Sequence, residues 1–200
     1  MEKEYYDAQI KYMNEIRSIR HDMRAHMIVL QYYLEEEKYE KASEYLKKMR
    51  SHQEICGQEY IDTGNDLVNV IVQDVVERSE SSIEVSCHGI FPEMMPIDDY
   101  DSCTLFSNMI SNACEACAKL SVHAAEVVIE IEQRKQGLLV AVQNPIEWEV
   151  DLQILGKSTS KQDKTRHGYG VKNMIEVIKK NHGKIDFYVT DQSFRVEVIL

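Results

Sequence analysis

The stretch Ser102–Cys117, SCTLFSNMISNACEAC, is the one whose reading decides the fold. At about 100° per residue, Leu105, Phe106, Met109, Ile110, Ala113 and Cys117 gather on one broad side of a helix, while Asn108, Asn112 and Glu115 stack at i, i+4 and i+7 on another. The apolar side predicts a core. The polar stripe needs a different cause, since asparagine is a mediocre helix former and lysine or glutamate would serve solubility better. Two readings stand for it: the amides hold a ligand, or they hydrogen-bond a neighbouring loop.

Outward from this helix the pattern is that of an α/β domain. Ile83, Val85 and Cys87 alternate as a strand before Gly89, and a loop with Pro92 and Pro96 leads to Asp98 and the asparagine helix. Further upstream Gly64 breaks a helical register, which puts a domain boundary at residues 61–64. Asn65–Glu80 then predicts an amphipathic helix with Leu67, Val70, Ile71, Val75 and Val76 inward. Downstream, Val127–Glu132 and Leu138–Val142 predict two strands joined across Gly137. The second ends at Asn144-Pro145, where proline stops further pairing. Lys184–Val189 and Phe194–Ile199 predict two more strands.

From Glu147 to Thr165 periodicity fails, and the run GKSTSKQDKTRHGYG ending at Gly170 is small, polar and basic. It predicts a loop that closes over a ligand. Lys157, Lys161, Lys164, Arg166 and Lys172 face only Asp163 in sequence, a basic patch suited to an anion. Gly168 and Gly170 flank Tyr169 at the start of a helix carrying Val171, Met174, Ile175 and Ile178 inward and ending near His182-Gly183. Glycines at such an entry let backbone N–H groups approach phosphate, and the helix N-terminus adds partial positive charge. The spacing matches neither a P-loop nor a Rossmann fingerprint.

The first sixty residues read differently. Tyr12, Ile16, Ile19, Met23, His26, Leu30 and Tyr33 form an unbroken a/d seam without glycine or proline. After the acidic turn Glu35-Glu36-Glu37, a second seam runs through Tyr39, Ala42, Leu46, Met49, Gln53, Cys56 and Tyr60. Two helices with so short a link run antiparallel, and a lone hairpin leaves one side of each stripe wet. A second copy, giving a dimeric four-helix bundle, would cover it. His21 falls at position f, farthest from the seam, between Arg20 and Asp22. It is therefore exposed and either reactive or a plain surface residue, whereas His26 sits on the seam and predicts packing or an inter-helix hydrogen bond.

Charge narrows the partners. The chain carries 23 basic and 34 acidic residues, a net charge of −11, which argues against a general nucleic-acid or anionic-lipid binder. Five cysteines without paired motifs suit reduced thiols in the cytoplasm. Cys114 and Cys117 form a lone CxxC within the helix and read as core residues rather than metal ligands. No run of apolar residues is long enough to span a membrane, and no leader opens the chain.

The helix NxxxNxxEA, the Asn144-Pro145 strand end and HGYGVKNM follow one another around a lysine-bearing loop. In that combination they resemble the ATP-binding domain of the GHKL superfamily, shared by gyrase, Hsp90, MutL and the sensor histidine kinases. The hairpin with IRSIRHDMRAH narrows the resemblance to sensor histidine kinases, closest to the peptide-pheromone receptor group. It implies an α+β protein: a dimerisation and phosphotransfer hairpin over residues 1–62 and a Bergerat-type α/β sandwich over 63–200.

By that resemblance His21 would be the phosphoacceptor and Asp22 the acid that accepts its proton. Asn112 would ligate Mg²⁺ with Asn108 lining the same site. Lys161 would belong to a cationic lid, and His167, Gly168 and Gly170 would meet the triphosphate of ATP. One departure stands out. Where many of these kinases carry DxGxG with an aspartate reading the adenine amine, this chain has Asn144, whose neutral carbonyl can accept but forgoes the charge-assisted bond. The resemblance implies a homodimer that phosphorylates itself on His21 and passes the group to a response-regulator aspartate. It also implies a cytoplasmic piece of a longer membrane sensor. The alternative is a phosphotransfer or docking module attached to a degenerate ATP-binding domain.

Overall fold

A computed structural model describes residues 2–49, 61–79, 83–120, 125–147, 169–190 and 192–200. The chain divides into two compact units, Met1–Ile55 and Cys56–Leu200. Among the described residues no helix is long and apolar enough to cross a membrane.

The first unit is a helical hairpin of α1 (Glu2–Glu35) and α2 (Tyr39–Met49). The acidic turn closes with Glu37 in the left-handed region and Lys38 N–H donating to the Tyr33 carbonyl at 2.7 Å. Leu30 and Ala42 are buried between the helices, the Tyr33 and Tyr45 rings meet edge to face, and Tyr45 Oη lies 2.8 Å from His26 Nδ1. The inter-helix hydrogen bond expected of His26 is therefore present. The second seam differs from its expectation: Tyr39 and Leu46 are exposed, and Tyr45 takes the inward position between Ala42 and Met49. The cause is chemical, since the small Ala42 lets the helices approach and the Tyr45 hydroxyl offers His26 a partner that leucine cannot. Ile19 and Met23, on the first seam, are exposed within this single hairpin. Gln53, Cys56 and Tyr60 lie outside the described residues.

The second unit is an α/β sandwich. Its elements are α3 (Asp66–Glu77), β1 (Ile83–His88), α4 (Asp99–Cys117), β2 (Ala125–Arg134), β3 (Gly137–Pro145), α5 (Tyr169–Lys180), β4 (Lys184–Val189) and β5 (Ser193–Ile199). Asn65 and Asp98 cap α3 and α4 by accepting from Val68 N–H and Asp101 N–H, the usual means of satisfying a first-turn donor. The strands form one sheet in the order β1-β2-β3-β5-β4, with β1 and β2 parallel and the remaining pairs antiparallel. Gly89 and Gly137 both take positive φ, and a side chain on either would collide with backbone, of Ile131 and of Leu200 respectively.

Side chains alternate across the strands. Val127, Ile129 and Ile131 of β2, Leu138, Val140 and Val142 of β3, and Val196 and Val198 of β5 share one core with the three helices. On the opposite face Arg195 reaches Glu130 at 2.8 Å and Glu197 at 3.3 Å, across the small Ala141 that lies between them in register. Helix α4 is central: it packs against α3, α5, β2 and β3. Val70, expected inward, is exposed. The face of α3 that packs is centred on Val68, Val72 and Val76, and at 100° per residue Val70 lies opposite it.

Candidate functional site

The apolar side of α4 is as expected: Leu105, Phe106, Met109, Ile110, Ala113 and Cys117 are all buried. Cys114 joins them in the core, and burial pushes its thiol up to about 12 and that of Cys117 up to about 11. Both stay protonated at neutral pH and pack as small apolar groups.

With that side committed to the core, the helix turns Asn108 and Asn112 toward the start of α5, where both are half-buried. Asn108 Nδ2 donates to the Thr104 carbonyl one turn back, at 2.6 Å, which fixes the direction of the amide. A Cβ built on Gly170 would stand 2.9 Å from Asn108 Oδ1, 3.3 Å from Asn112 Oδ1 and 3.6 Å from Asn112 Nδ2. Gly170 therefore serves for space rather than for unusual backbone geometry. A side chain there would crowd the Asn108 amide and force it or α5 to shift. The arrangement sets two hard amide oxygens beside the first turn of a helix, where backbone N–H groups lack intrahelical partners and carry partial positive charge.

Asn144 continues the Leu138, Val140, Val142 alternation and so lies on the helix-covered face at the end of β3. It is buried, and its Nδ2 donates to the Pro145 carbonyl at 2.9 Å. Glu115, the third member of the stripe, is exposed. Lys161, His167 and Gly168 lie outside the described residues. In the other unit His21 and Asp22 stand in solvent, with 84% and 67% of their side chains exposed and His21 Nδ1 3.3 Å from Asp22 Oδ1. The structure thus brings Asn108, Asn112 and Gly170 together, and separately His21 and Asp22.

Asp101 escaped the reading of the sequence. It belongs to the polar stripe, seven residues before Asn108 and eleven before Asn112, yet an acid in a first helical turn reads as a plain complement to the helix dipole. The available signal was the continuation of the stripe one residue before Ser102.

Among the described residues, an open mixed sheet with three helices on one face forms a two-layer sandwich domain, and a polar seam lies where the central helix α4 meets its glycine-opened neighbour α5. The family profile described as GHKL domain matches residues 97–200, more than half of the chain and including every one of these seam residues. The chain belongs to the GHKL family. No curated protein matches the sequence. Among solved structures it is similar to a bacterial phosphotransferase, with a TM-score of 0.50 at 14% identity over 69% of this chain. The match spans 63% of that protein, short of two thirds of its length. It is also similar to the mycobacterial sensor histidine kinase MprB, with a TM-score of 0.49, 15% identity, and 68% and 91% of the two chains covered. A third likeness is to the Acinetobacter baumannii histidine kinase AdeS, with a TM-score of 0.49, 15% identity, and 90% and 97% covered.

Proposed function

We propose that this protein is a histidine kinase: the GHKL domain binds Mg·ATP along the α4–α5 seam, and His21 takes the γ-phosphoryl group. The observation that carries the reading is the bare Gly170 Cα against the amides of Asn108 and Asn112. Residues 63–200 are then the catalytic domain, and residues 1–62 the hairpin that dimerises and presents the acceptor.

The residues present fit the ligands. Asn112 offers a hard amide oxygen, the donor type Mg²⁺ takes alongside phosphates and water. Asn112 would hold the ion, which when bound would supply positive charge to offset that of the phosphates. Asn108 lines the same site, and the start of α5 meets the phosphates with backbone N–H groups, joined by Gly168, His167 and the lid lysine Lys161. Asn144, with its NH₂ given to the Pro145 carbonyl, has its carbonyl oxygen to accept from the adenine amine.

On the hairpin, a proton on His21 Nδ1 donated to Asp22 leaves the lone pair on Nε2. That nitrogen attacks the γ-phosphorus in line, a new N–P bond replaces the P–O bond to the β-phosphate, and ADP leaves. Positive charge appears on the ring as the bond forms, and Asp22 accepts the Nδ1 proton, a contribution of about 10²–10⁴ in rate for a positioned base. Everything else asked of the protein is positioning and charge neutralisation.

The phosphoryl group then passes to an aspartate of a response-regulator receiver domain. The exposed stripe of Ile19, Met23, Met27 and Leu46 supports a homodimer through the hairpin. We place the chain as the cytoplasmic part of a membrane sensor.

Incubation with γ-labelled ATP tests the reading. Acid-labile label is expected on wild type and none on His21→Ala. An unlabelled wild type, or label retained in His21→Ala, defeats it.

One observation favours a second reading. Asn144 is a neutral residue whose amide is already engaged within its own strand end, which suits a docking module with a degenerate ATP-binding domain. Mg-dependent nucleotide binding that disappears in Asn112→Ala decides for the kinase.

A further inference from the structure

We propose that Asp101 is a positioning residue for the nucleotide site, setting from the far end of the α4–α5 seam how closely Gly170 approaches Asn108 and Asn112. The proposal rests on the reading of that seam as the Mg·ATP site. It begins with a buried carboxylate. Asp101 is only 3% exposed, its Oδ2 lies 2.7 Å from Lys180 Nζ, and it accepts from Asn181 Nδ2 at 2.7 Å. Asn181 Nδ2 also donates to the Val177 carbonyl at 2.9 Å, which ties the contact to the last turn of α5. Lys180 Nζ stands 3.6 Å from Asp98, the residue that caps α4.

The two ends of the seam are in register. Asp101 and Asn112 are eleven residues apart on α4, and Gly170 and Asn181 are eleven residues apart on the other side. Asp101 meets Asn181, and Gly170 meets Asn108 and Asn112, seven and eleven residues from Asp101. The helices therefore run antiparallel, with about 10–16 Å of α4 set against about 16 Å on the other side at 1.5 Å per residue. The matching stripe is Gly170, Met174 and Val177 on α5 with Asn181 directly after its last residue, the spacing of a single helical face. Met174 and Val177 are buried along it.

The apolar part of the seam lacks direction. Burial of Met174 and Val177 favours contact but is nearly indifferent to a small slide of one helix along the other. A hydrogen-bonded ion pair is directional, and a shift of one ångström breaks it. A carboxylate in this position is otherwise hard to account for, because burying a charge is unfavourable unless it is fully paired, and an apolar side chain would stabilise the packing as well or better. Register is the best-attested use of such a pair. Since α5 is a continuous helix, the axial position fixed at Asn181 is delivered to Gly170, where tenths of an ångström decide the distance to the amides.

The test uses the full chain and a fluorescent ATP analogue with Mg²⁺. Wild type is expected to bind, and Asn112→Ala to lose binding. If wild type does not bind, the reading of the seam falls and this proposal with it. If it binds, Asp101→Ala is expected to weaken affinity about fivefold or more, within the usual range for coupled sites. Asp101→Asn, which keeps an acceptor for Asn181, should recover part of the loss. Lys180→Met, at an exposed position that leaves the core intact, should reproduce part of it should Asp101→Ala fail to fold. The decisive readout is a double-mutant cycle with Gly170→Ala. A purely structural Asp101 gives additive losses, as sites more than about 10 Å apart normally do. A positioning Asp101 gives little further loss once Gly170→Ala has already disturbed the fit of α5 against the amides. Additive losses, or wild-type affinity in both Asp101→Ala and Lys180→Met, overturn the proposal and leave the nucleotide site standing.

Discussion

The hairpin and the sandwich domain treat their apolar side chains in opposite ways. Among the hairpin's described side chains Leu30 and Ala42 are the buried apolar ones, whereas Ile19, Met23, Met27, Ile28, Leu34 and Leu46 face outward. The domain holds Leu105, Phe106, Met109, Ile110, Met174 and Ile178 almost wholly out of water in one continuous core. The difference teaches that the domain's described core closes on itself while the hairpin's described apolar stripe stays open, as the proposed dimer requires. The chemistry divides along the same line. The candidate nucleophile His21 stands in solvent, and the candidate nucleotide ligands are half-buried and held by their neighbours.

Core truncation should show the contrast at its largest. Phe106→Ala is expected to destabilise the domain by about 3–5 kcal/mol, enough to unfold much of it. Leu30→Ala in the hairpin should cost about 2 kcal/mol, at the low end for leucine. Urea unfolding of each variant checks the pair, and equal losses would break the comparison. Polar substitution of the open stripe should act elsewhere: Ile19→Ser with Met23→Ser leaves the domain's unfolding unchanged and shifts sedimentation toward monomer. Gly170→Ala comes next. Its expected effect is a roughly tenfold loss of Mg·nucleotide affinity, about 1.4 kcal/mol, with the domain still folded by circular dichroism. In the hairpin, Tyr45→Phe removes the hydroxyl that meets His26 and should lower hairpin stability by about 1 kcal/mol, leaving nucleotide affinity alone.

The parts legible in the sequence were those ruled by periodicity. The buried side of α4, the strand positions flanking Gly137 and the turn at Glu35-Glu36-Glu37 all follow from one rule, that apolar side chains recur with the period of their element. Where two apolar residues compete for one inward position the rule is silent. Val70 and Val68 are equally good valines on opposite sides of α3, and packing against α4 selects the side that carries Val68. Leu46 is more apolar than Tyr45, yet the tyrosine faces inward because it carries a hydroxyl that His26 can use. The asparagine stripe was legible as a stripe, while its meeting with Gly170 joins residues some sixty positions apart and needed the fold. Asp101 was hidden for a further reason: a solvated acid and a buried, paired acid look alike in a first helical turn.

Acid offers the finest test of the contrast between a pinned domain and an open hairpin. The Lys180 ammonium first, and then the Asn181 amide, hold the Asp101 carboxyl below its ordinary value of 3.8, against the opposing effect of burial. Glu130 is lowered in the same sense by Arg195 on the other face of the sheet. A depressed folded-state value means that the unfolded chain takes up the proton first, so the stability that Asp101 confers is fully present above its ordinary value. It is lost as pH falls from there through the lower folded value. Asp101→Asn lacks this titration, while Glu130 and the other carboxylates are common to both proteins and cancel in the difference. The gap in unfolding free energy between wild type and Asp101→Asn should therefore hold steady from about pH 7 to about pH 5 and shrink progressively as pH falls below the ordinary aspartate value. Hairpin stability, followed through the His26–Tyr45 contact, should show no such dependence on residue 101. A gap that widens toward acid, or that is absent at neutral pH, would mean that Asp101 is not ionised in its pair and that the seam is held by apolar contact alone.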